Sequence, residues 1–407
     1  MNTNNHVHDS IQAALDIERQ EHDHHLLVHS TGQHYGRTCI GQEFDFIHWL
    51  KRAAKLGADI SNTDTPPYEV VSNPKSGPLY RLTQLGKAIF LQCKSFNAYV
   101  VSYYQNHRFN PRLSVILKAV QKWGQDLCDC VGGSGRLDLT IDQARERLDQ
   151  IVASTRQEYH SKAFKSEMDN YKRNEESNIA SCCEYLAALF ECRSQLLILR
   201  IDLYFRPQFI DWGRSREADA HYSLFLRALR EDRVVPDVLG YIGKREDGID
   251  RGLHYHVLII LDGHKHRDAA NLTRIIGEGW VKRCGKAYYF EGHGQDTELL
   301  EEDRASYFNC YTRTDEYRFN GLGLIRLTDA DKVRGARCAL EYMCKEDTQL
   351  KPVPPAAHNG PKGAQERFPC KTRNLRKGIM PKGHSGLGAP RRSSLDMSVI
   401  ERELLKR

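Results

Sequence analysis

The chain has 407 residues, 40% of them hydrophobic and 28% charged, a composition that suits two or three folded units and excludes a small disulfide-stapled scaffold. Its longest aliphatic run, VLIIL at 257–261, is far short of the ~20 residues a bilayer span needs. The first residues lack the basic start and apolar core of a secretory signal, so a cytoplasmic protein with no membrane partner is expected. The formal net charge of +6 comes from the end of the chain: residues 351–407 hold thirteen Lys and Arg against four Asp and Glu, leaving the rest slightly acidic.

Residues 1–34 are polar and His-rich without a sustained period, and read as mostly disordered apart from a short helix near 11–19. From Phe44 onward apolar residues recur at helical spacing through 44–53, 82–104 and 113–127. A charged helical run follows over 141–172, with Thr140 as N-cap, and another over 179–192. Residues 35–192 therefore read as an all-helical region. At Gln195 the period changes. LLILRIDLYF at 196–205 and the stretch 253–261 have the pattern of buried strands, 238–245 of a strand, and 217–231 and 268–284 of helices. A short strand around 287–291, a polar loop, a strand at 322–327 and a helix at 330–346 complete an α+β domain over 193–350. Residues 351–407 hold seven of the fourteen prolines and read as a flexible basic tail, with a short helix in the last ten residues. The twelve cysteines are scattered, with no CxxC pair, and read as reduced thiols.

Three features of the α+β domain carry chemistry. In His254-Tyr255-His256, followed at once by the aliphatic run, strand geometry sends both imidazoles to one face, where two histidines can chelate one divalent ion. A His-x-His on a strand is more often a satisfied half-buried pair, and His6-Val7-His8 and His264-Lys265-His266 show how easily the pattern arises. The second feature is Glu246, separated from His254 by the turn-rich DGIDRG; a hairpin there brings the carboxylate beside the imidazoles as a third ligand. Without the histidines it would be one solvated charge in KRED. Two imidazoles and a carboxylate leave open positions on Mg²⁺ or Mn²⁺ that can polarise a phosphate oxygen. Asp202, on the polar face of LRIDLYF with Arg200, is an alternative ligand or a support.

The third feature is Tyr342 with Lys345, which share a face of the predicted helix at its apolar edge. A phenol of pKa ~10 is a poor nucleophile at neutral pH unless a nearby cation and a polarised phosphodiester assist it. The same tyrosine is equally compatible with a boundary position whose hydroxyl is wet.

Taken in order, LRIDLYF, Glu246 before His254-Tyr255-His256-Val257-Leu258, and ALEYMCKED around Tyr342 resemble the HUH endonucleases, and among them rolling-circle replication initiators of the inovirus-type, prophage-encoded YagK/YfjJ family. The likeness covers roughly residues 195–350. It implies a ferredoxin-like nuclease domain with a central antiparallel sheet. It also implies a Mg²⁺- or Mn²⁺-dependent nick in single-stranded DNA at a replication origin. Tyr342 would form a 5′-phosphotyrosine link and free a 3′-hydroxyl, with Lys345 positioning or charge-balancing the phosphate. Relaxases carry the tyrosine before the histidines, so this order disfavours them, and no second tyrosine lies one helical turn from Tyr342. A single-tyrosine HUH transposase and a non-catalytic prophage DNA-binding regulator are the competing readings. Lys371, Arg373, Arg376 and Lys377 of the tail would add affinity for DNA phosphates, and Lys332, Arg334 and Arg337 either track the same strand or form a solvated face. The pattern of residues 35–192 does not choose between reading origin DNA, recruiting a host helicase or polymerase, and contacting another host protein in a bacterial cytoplasm.

Overall fold

The computed structural model describes residues 42–73, 77–96, 107–125, 127, 141–206, 209–248, 252–286, 304–316, 319–344, 350–352, 374–381 and 397–406. The helix expected near 11–19 and the strand expected at 287–291 lie outside the described residues. The chain divides into two compact units, one of residues 40–174 with 346–353 and the other built on 175–345 and 354–407. Among the described residues no helix is long and apolar enough to cross a membrane.

The first unit contains α1 (Gln42–Asn62), α2 (Gln84–Phe96), α3 (Pro111–Trp123), α4 (Ile141–His160) and the start of α5 (Lys162–Cys192). Its core includes Leu50, Ile60, Ile89, Leu113, Ile116 and Ile151. At the start of α3, Asn110 accepts a hydrogen bond from the Arg112 amide at 2.9 Å and Pro111 occupies the first turn, so two of the orphan amide positions of a helix start are dealt with locally. The single run expected over 141–172 is two helices, because the Ser161 hydroxyl accepts from the Phe164 amide at 3.0 Å and begins α5 afresh. The region is also not all-helical. β1 (Tyr68–Asn73) and β2 (Gly77–Leu82) form an antiparallel hairpin, and β3 (His107–Phe109) pairs with Leu350–Pro352. The hairpin had a local signal in the strand-favouring Tyr68, Val70 and Val71 followed by turn-forming Asn73 and Gly77, but the helical periods on either side overshadow it.

The second unit begins inside α5, not at the change of period near residue 193. The last half of that helix buries Cys182, Cys183, Tyr185, Leu186, Leu189 and Phe190 in the same cluster as the sheet. The sheet follows: β4 (Gln195–Phe205), α6 (Arg216–Arg230), β5 (Val238–Gly248), β6 (Gly252–Asp262), α7 (Ala269–Lys286), β7 (Ala305–Asn309), β8 (Gly323–Arg326) and α8 (Ala330–Cys344). Strand order is Leu375–Lys377, β5, β6, β4, β7, with β8 paired to the start of β4, and the pairings are antiparallel. β7 falls where a polar loop was expected; five residues with no aliphatic run give little local signal. The tail contributes structure too. Leu375 pairs with Lys244, and Ile400–Leu405 forms a helical turn whose Ile400 and Leu404 are buried in the α8 cluster.

β6 is buried along its whole length because helices cover both faces of the sheet. One face, with Leu199, Ile201, Leu203, Tyr255, Val257 and Ile259, packs with Phe225 of α6 and Trp280 of α7. The other, with Leu196, Ile198, Ile242, Leu258 and Ile260, packs with the end of α5 and with Val333, Ala336, Leu340 and Met343 of α8. Each fully buried aliphatic side chain contributes roughly 1.5–3 kcal/mol, so these two layers set the sheet's position. Two glycines of β5 let a tyrosine approach from each side: a Cβ at Gly240 would lie 2.1 Å from the Tyr185 hydroxyl, and one at Gly243 2.0 Å from that of Tyr222.

Candidate metal centre

The second face of the sheet is apolar only over half its length. Toward the end of the hairpin where β5 hands over to β6, the same alternating positions become Arg200, Asp202 and Tyr204 on β4, His256 and His254 on β6, and Lys244 and Glu246 on β5. Register brings them together. Asp202 and Lys244 are the partners of His256 on either side, and Glu246 is the partner of His254. The hairpin expected from DGIDRG therefore exists, with Gly252 at φ 62° opposite Gly248, a backbone angle that suits a residue without a Cβ.

Both imidazoles are oriented through Nδ1. That of His256 lies 2.6 Å from Asp202 Oδ1, and that of His254 lies 3.0 Å from the Gly252 carbonyl oxygen, so each ring donates Nδ1–H and turns Nε2 toward the cluster. The Glu246 Oε2 atom sits 3.0 Å from His256 Nε2 and 3.7 Å from His254 Nε2. Its other oxygen is held by the Lys244 ammonium at 2.6 Å. One ligand atom from each of Glu246, His254 and His256 falls within a 4.8 Å span. Histidines whose Nδ1 protons are committed to a carboxylate and a carbonyl, with Nε2 atoms convergent on a carboxylate oxygen, make a donor set that can hold a divalent ion, outer layer included. The residues fit the ion. Asp202, fully buried, accepts from His256 Nδ1 and is the counterpart of that ring on β4.

Electrostatics are consistent with that arrangement. Burial pushes the Glu246 carboxyl up, but Lys244 and the two histidines outweigh it and hold the group well below the usual carboxylate range. Burial pushes His256 down, yet Asp202 and Glu246, by attraction and by hydrogen bonding, raise it to about 10. A proton shared with Glu246 at Nε2 thus stands where a metal ion would go.

Tyr342 belongs to α8 and lies on this face. Its ring meets that of His256 edge-on at 6.1 Å between centroids, and the Arg200 guanidinium sits 5.0 Å from the Tyr342 ring centre. Lys345 lies outside the described residues, as do Lys371 and Arg373 of the tail. Other expected DNA contacts are engaged within the chain. Lys332 donates to the Leu324 carbonyl at 3.1 Å, Arg334 pairs with Glu403 at 2.9 Å, and Arg337 pairs with Glu341 at 2.7 Å and donates to the Leu404 carbonyl. Arg376 forms a bidentate pair with Asp219, and Lys377 donates to Ser181. The contacts of Arg334 with Glu403, of Arg337 with the Leu404 carbonyl, and of Arg376 and Lys377 with Asp219 and Ser181 dock the C-terminal segments, and no local pattern announces these because the partners are distant in sequence.

Sequence reasoning passed over Lys244 and Tyr204. Lys244 sits two residues before Glu246 on the same strand face and is 7% exposed. The Tyr204 hydroxyl donates to Asp202 at 3.2 Å and its ring stacks on His254 at 5.4 Å. The period-2 rule that pairs His254 with His256 also pairs Lys244 with Glu246 and Asp202 with Tyr204, and was available for both.

Residues 155–293 match the family model of the YagK/YfjJ C-terminal domain. The matched stretch takes in Arg200, Asp202, Lys244, Glu246, His254 and His256, begins within α4, and ends before Tyr342. No curated protein and no solved structure matches the chain. The candidate ligands Glu246, His254 and His256 thus lie in a segment similar to a prophage-type family domain.

Proposed function

We propose that the second unit is an HUH-type nuclease domain that nicks and rejoins single-stranded DNA at the replication origin of a phage or mobile element, with Tyr342 as nucleophile. The observation that carries this reading is the edge-on contact of Tyr342 with His256, which puts a phenol on the same face of the sheet as the Glu246, His254 and His256 cluster. The connectivity supports it. β4, α6, β5, β6, α7, β7 in chain order, β5-β6-β4-β7 across the sheet, and both connecting helices packed on one face are what a ferredoxin-like β-α-β-β-α-β arrangement would require.

Glu246, His254 and His256 would hold Mg²⁺ or Mn²⁺, which when bound supplies a Lewis acid to a phosphate oxygen. The chain's own groups do the rest. The phenolic oxygen of Tyr342 attacks phosphorus, the bond from phosphorus to the 3′-oxygen breaks, the phenol loses its proton and the 3′-oxygen gains one. The product is a 5′-phosphotyrosine and a 3′-hydroxyl, and the reverse attack rejoins the strand. Arg200 holds the ring plane from the β4 side. Asp202 fixes the tautomer of His256 so that Nε2 faces Glu246, where the ion would be held.

The test is incubation with labelled single-stranded origin DNA and Mn²⁺, read on a denaturing gel. A DNA-linked protein band is expected, and Tyr342→Phe is expected to lower its yield at least about a thousandfold by removing the attacking oxygen. A band that persists in Tyr342→Phe overturns the assignment of the nucleophile. No band with any divalent metal favours a DNA-binding protein without nuclease chemistry.

A further inference from the structure

Two buried cations stand beside the proposed metal ligands, and their presence has to be reconciled with a divalent ion. Arg200 is 3% exposed, with Nε 3.6 Å from Asp202 Oδ1 and Nη2 3.3 Å from His256 Nδ1. Lys244 is 7% exposed and 2.6 Å from Glu246 Oε1. Among the described residues of this polar patch, the two cations are balanced by two carboxylates, Asp202 and Glu246. With both histidines neutral, as metal ligation requires, a divalent ion leaves the patch with two uncompensated positive charges away from bulk water. A site evolved only to retain a metal would gain from apolar or acidic residues at positions 200 and 244. Cations there make sense when negative charge arrives with the ion. A phosphodiester brings one negative charge, and the phenolate that attacks it brings the other.

We infer that Arg200 and Lys244 form an anion seat that makes divalent cation and DNA phosphate bind to this patch as linked ligands, each weakly without the other. The inference rests on the nuclease reading above and adds a role that neither the metal ligands nor Tyr342 supplies. Arg200 is placed for it. It lies beside His256 and against the Tyr342 ring, in contact with both the ligand set and the proposed nucleophile. Lys244 acts from the opposite strand through the outer oxygen of Glu246. Linkage is reciprocal, so the factor by which DNA tightens the ion is the factor by which the ion tightens DNA.

The experiment uses the full chain carrying Tyr342→Phe to prevent turnover. Mn²⁺ affinity is read by electron paramagnetic resonance without DNA. The affinity for a mixed-sequence single-stranded oligonucleotide is read by fluorescence anisotropy with and without Mn²⁺ at constant ionic strength. The parent is expected to bind the oligonucleotide about tenfold tighter with Mn²⁺ present. Adding Arg200→Gln is expected to tighten Mn²⁺ alone by about tenfold, since a nearby positive charge is gone, and to cut the Mn²⁺-dependent gain in DNA affinity to about twofold or less. Arg200→Lys, which keeps the charge, is expected to restore both parental values, and Lys244→Gln against Lys244→Arg repeats the comparison if a position-200 variant fails to fold. An Arg200 whose role is only to support the ligands predicts the opposite sign: Arg200→Gln would weaken Mn²⁺ binding and leave the gain intact, which overturns the inference alone. A parent that binds no Mn²⁺ alone and shows no Mn²⁺-dependent gain in DNA affinity removes the metal centre, and the nuclease reading falls with it.

Discussion

One face of the central sheet is built twice over on the same three strands. Leu196, Ile198, Ile242, Leu258 and Ile260 occupy one half, and Arg200, Asp202, Lys244, Glu246, His254 and His256 occupy the other. The backbone register is continuous from one half to the other, and side chains in both are largely withdrawn from water. Their energetics are opposite. The aliphatic half gains from every methylene removed from solvent, whereas the ionic half costs desolvation that its internal pairings at best return. A fold needing only stability would continue the leucines and isoleucines to the end of the strands, so the ionic half is explained by chemistry and the aliphatic half by cohesion.

That division can be broken from either side. The largest effect on folding is expected from Ile260→Ala in the aliphatic half, which should lower stability by about 3 kcal/mol in a denaturant titration while leaving Mn²⁺ affinity within about twofold. In the ionic half the expected consequences run the other way. Asp202→Asn keeps the shape but weakens the orienting bond to His256, and should reduce Mn²⁺ affinity by about thirtyfold.

Solution pH sharpens the same contrast. The proton on His256 is held to about 10 in the folded chain against an ordinary 6.5, so the stability it contributes is complete below about 6.5 and is lost as pH rises through about 10. A metal ion must displace that proton, so Mn²⁺ affinity should rise with pH by up to about tenfold per unit below that value, as titrations at two pH values will show. The Glu246 carboxylate, held below its usual range, contributes stability that disappears on acidification. An affinity independent of pH would place the ion elsewhere. The smallest effect is expected from Arg376→Ala, which breaks a bidentate pair at the sheet's outer edge and should cost about 1 kcal/mol by thermal melting with no change in Mn²⁺ affinity.

Much of the site was readable before any coordinates. Glu246 opposite His254, the histidine pair on one face, and Tyr342 at the margin of an apolar helical stripe all follow from short-range periodicity and a turn-rich connection. The failures share a cause. The hairpin of β1 and β2, the short strand β7 and the strand at Leu375–Lys377 are held by distant partners or lie beside stronger helical signals. Arg334, Arg376 and Lys377 look like free cations because Glu403, Asp219 and Ser181 lie far along the chain, as does the Leu404 carbonyl that Arg337 donates to. Lys244 gave no signal for a related reason: it follows Gly243 and precedes the charged Arg245, Glu246 and Asp247, but the strand places it under cover.

Amino-acid order alone determined which residues share a face, since alternation along a strand and the repeat of a helix are properties of backbone geometry acting over a few residues. Only the tertiary structure decided that α8 docks on the histidine side of the sheet and not on the side taken by α6 and α7. That choice belongs to the aliphatic surfaces that close over both faces at once, and it is what sets Tyr342 against His256 and turns Arg200 and Lys244 from solvated charges into parts of a buried ionic site.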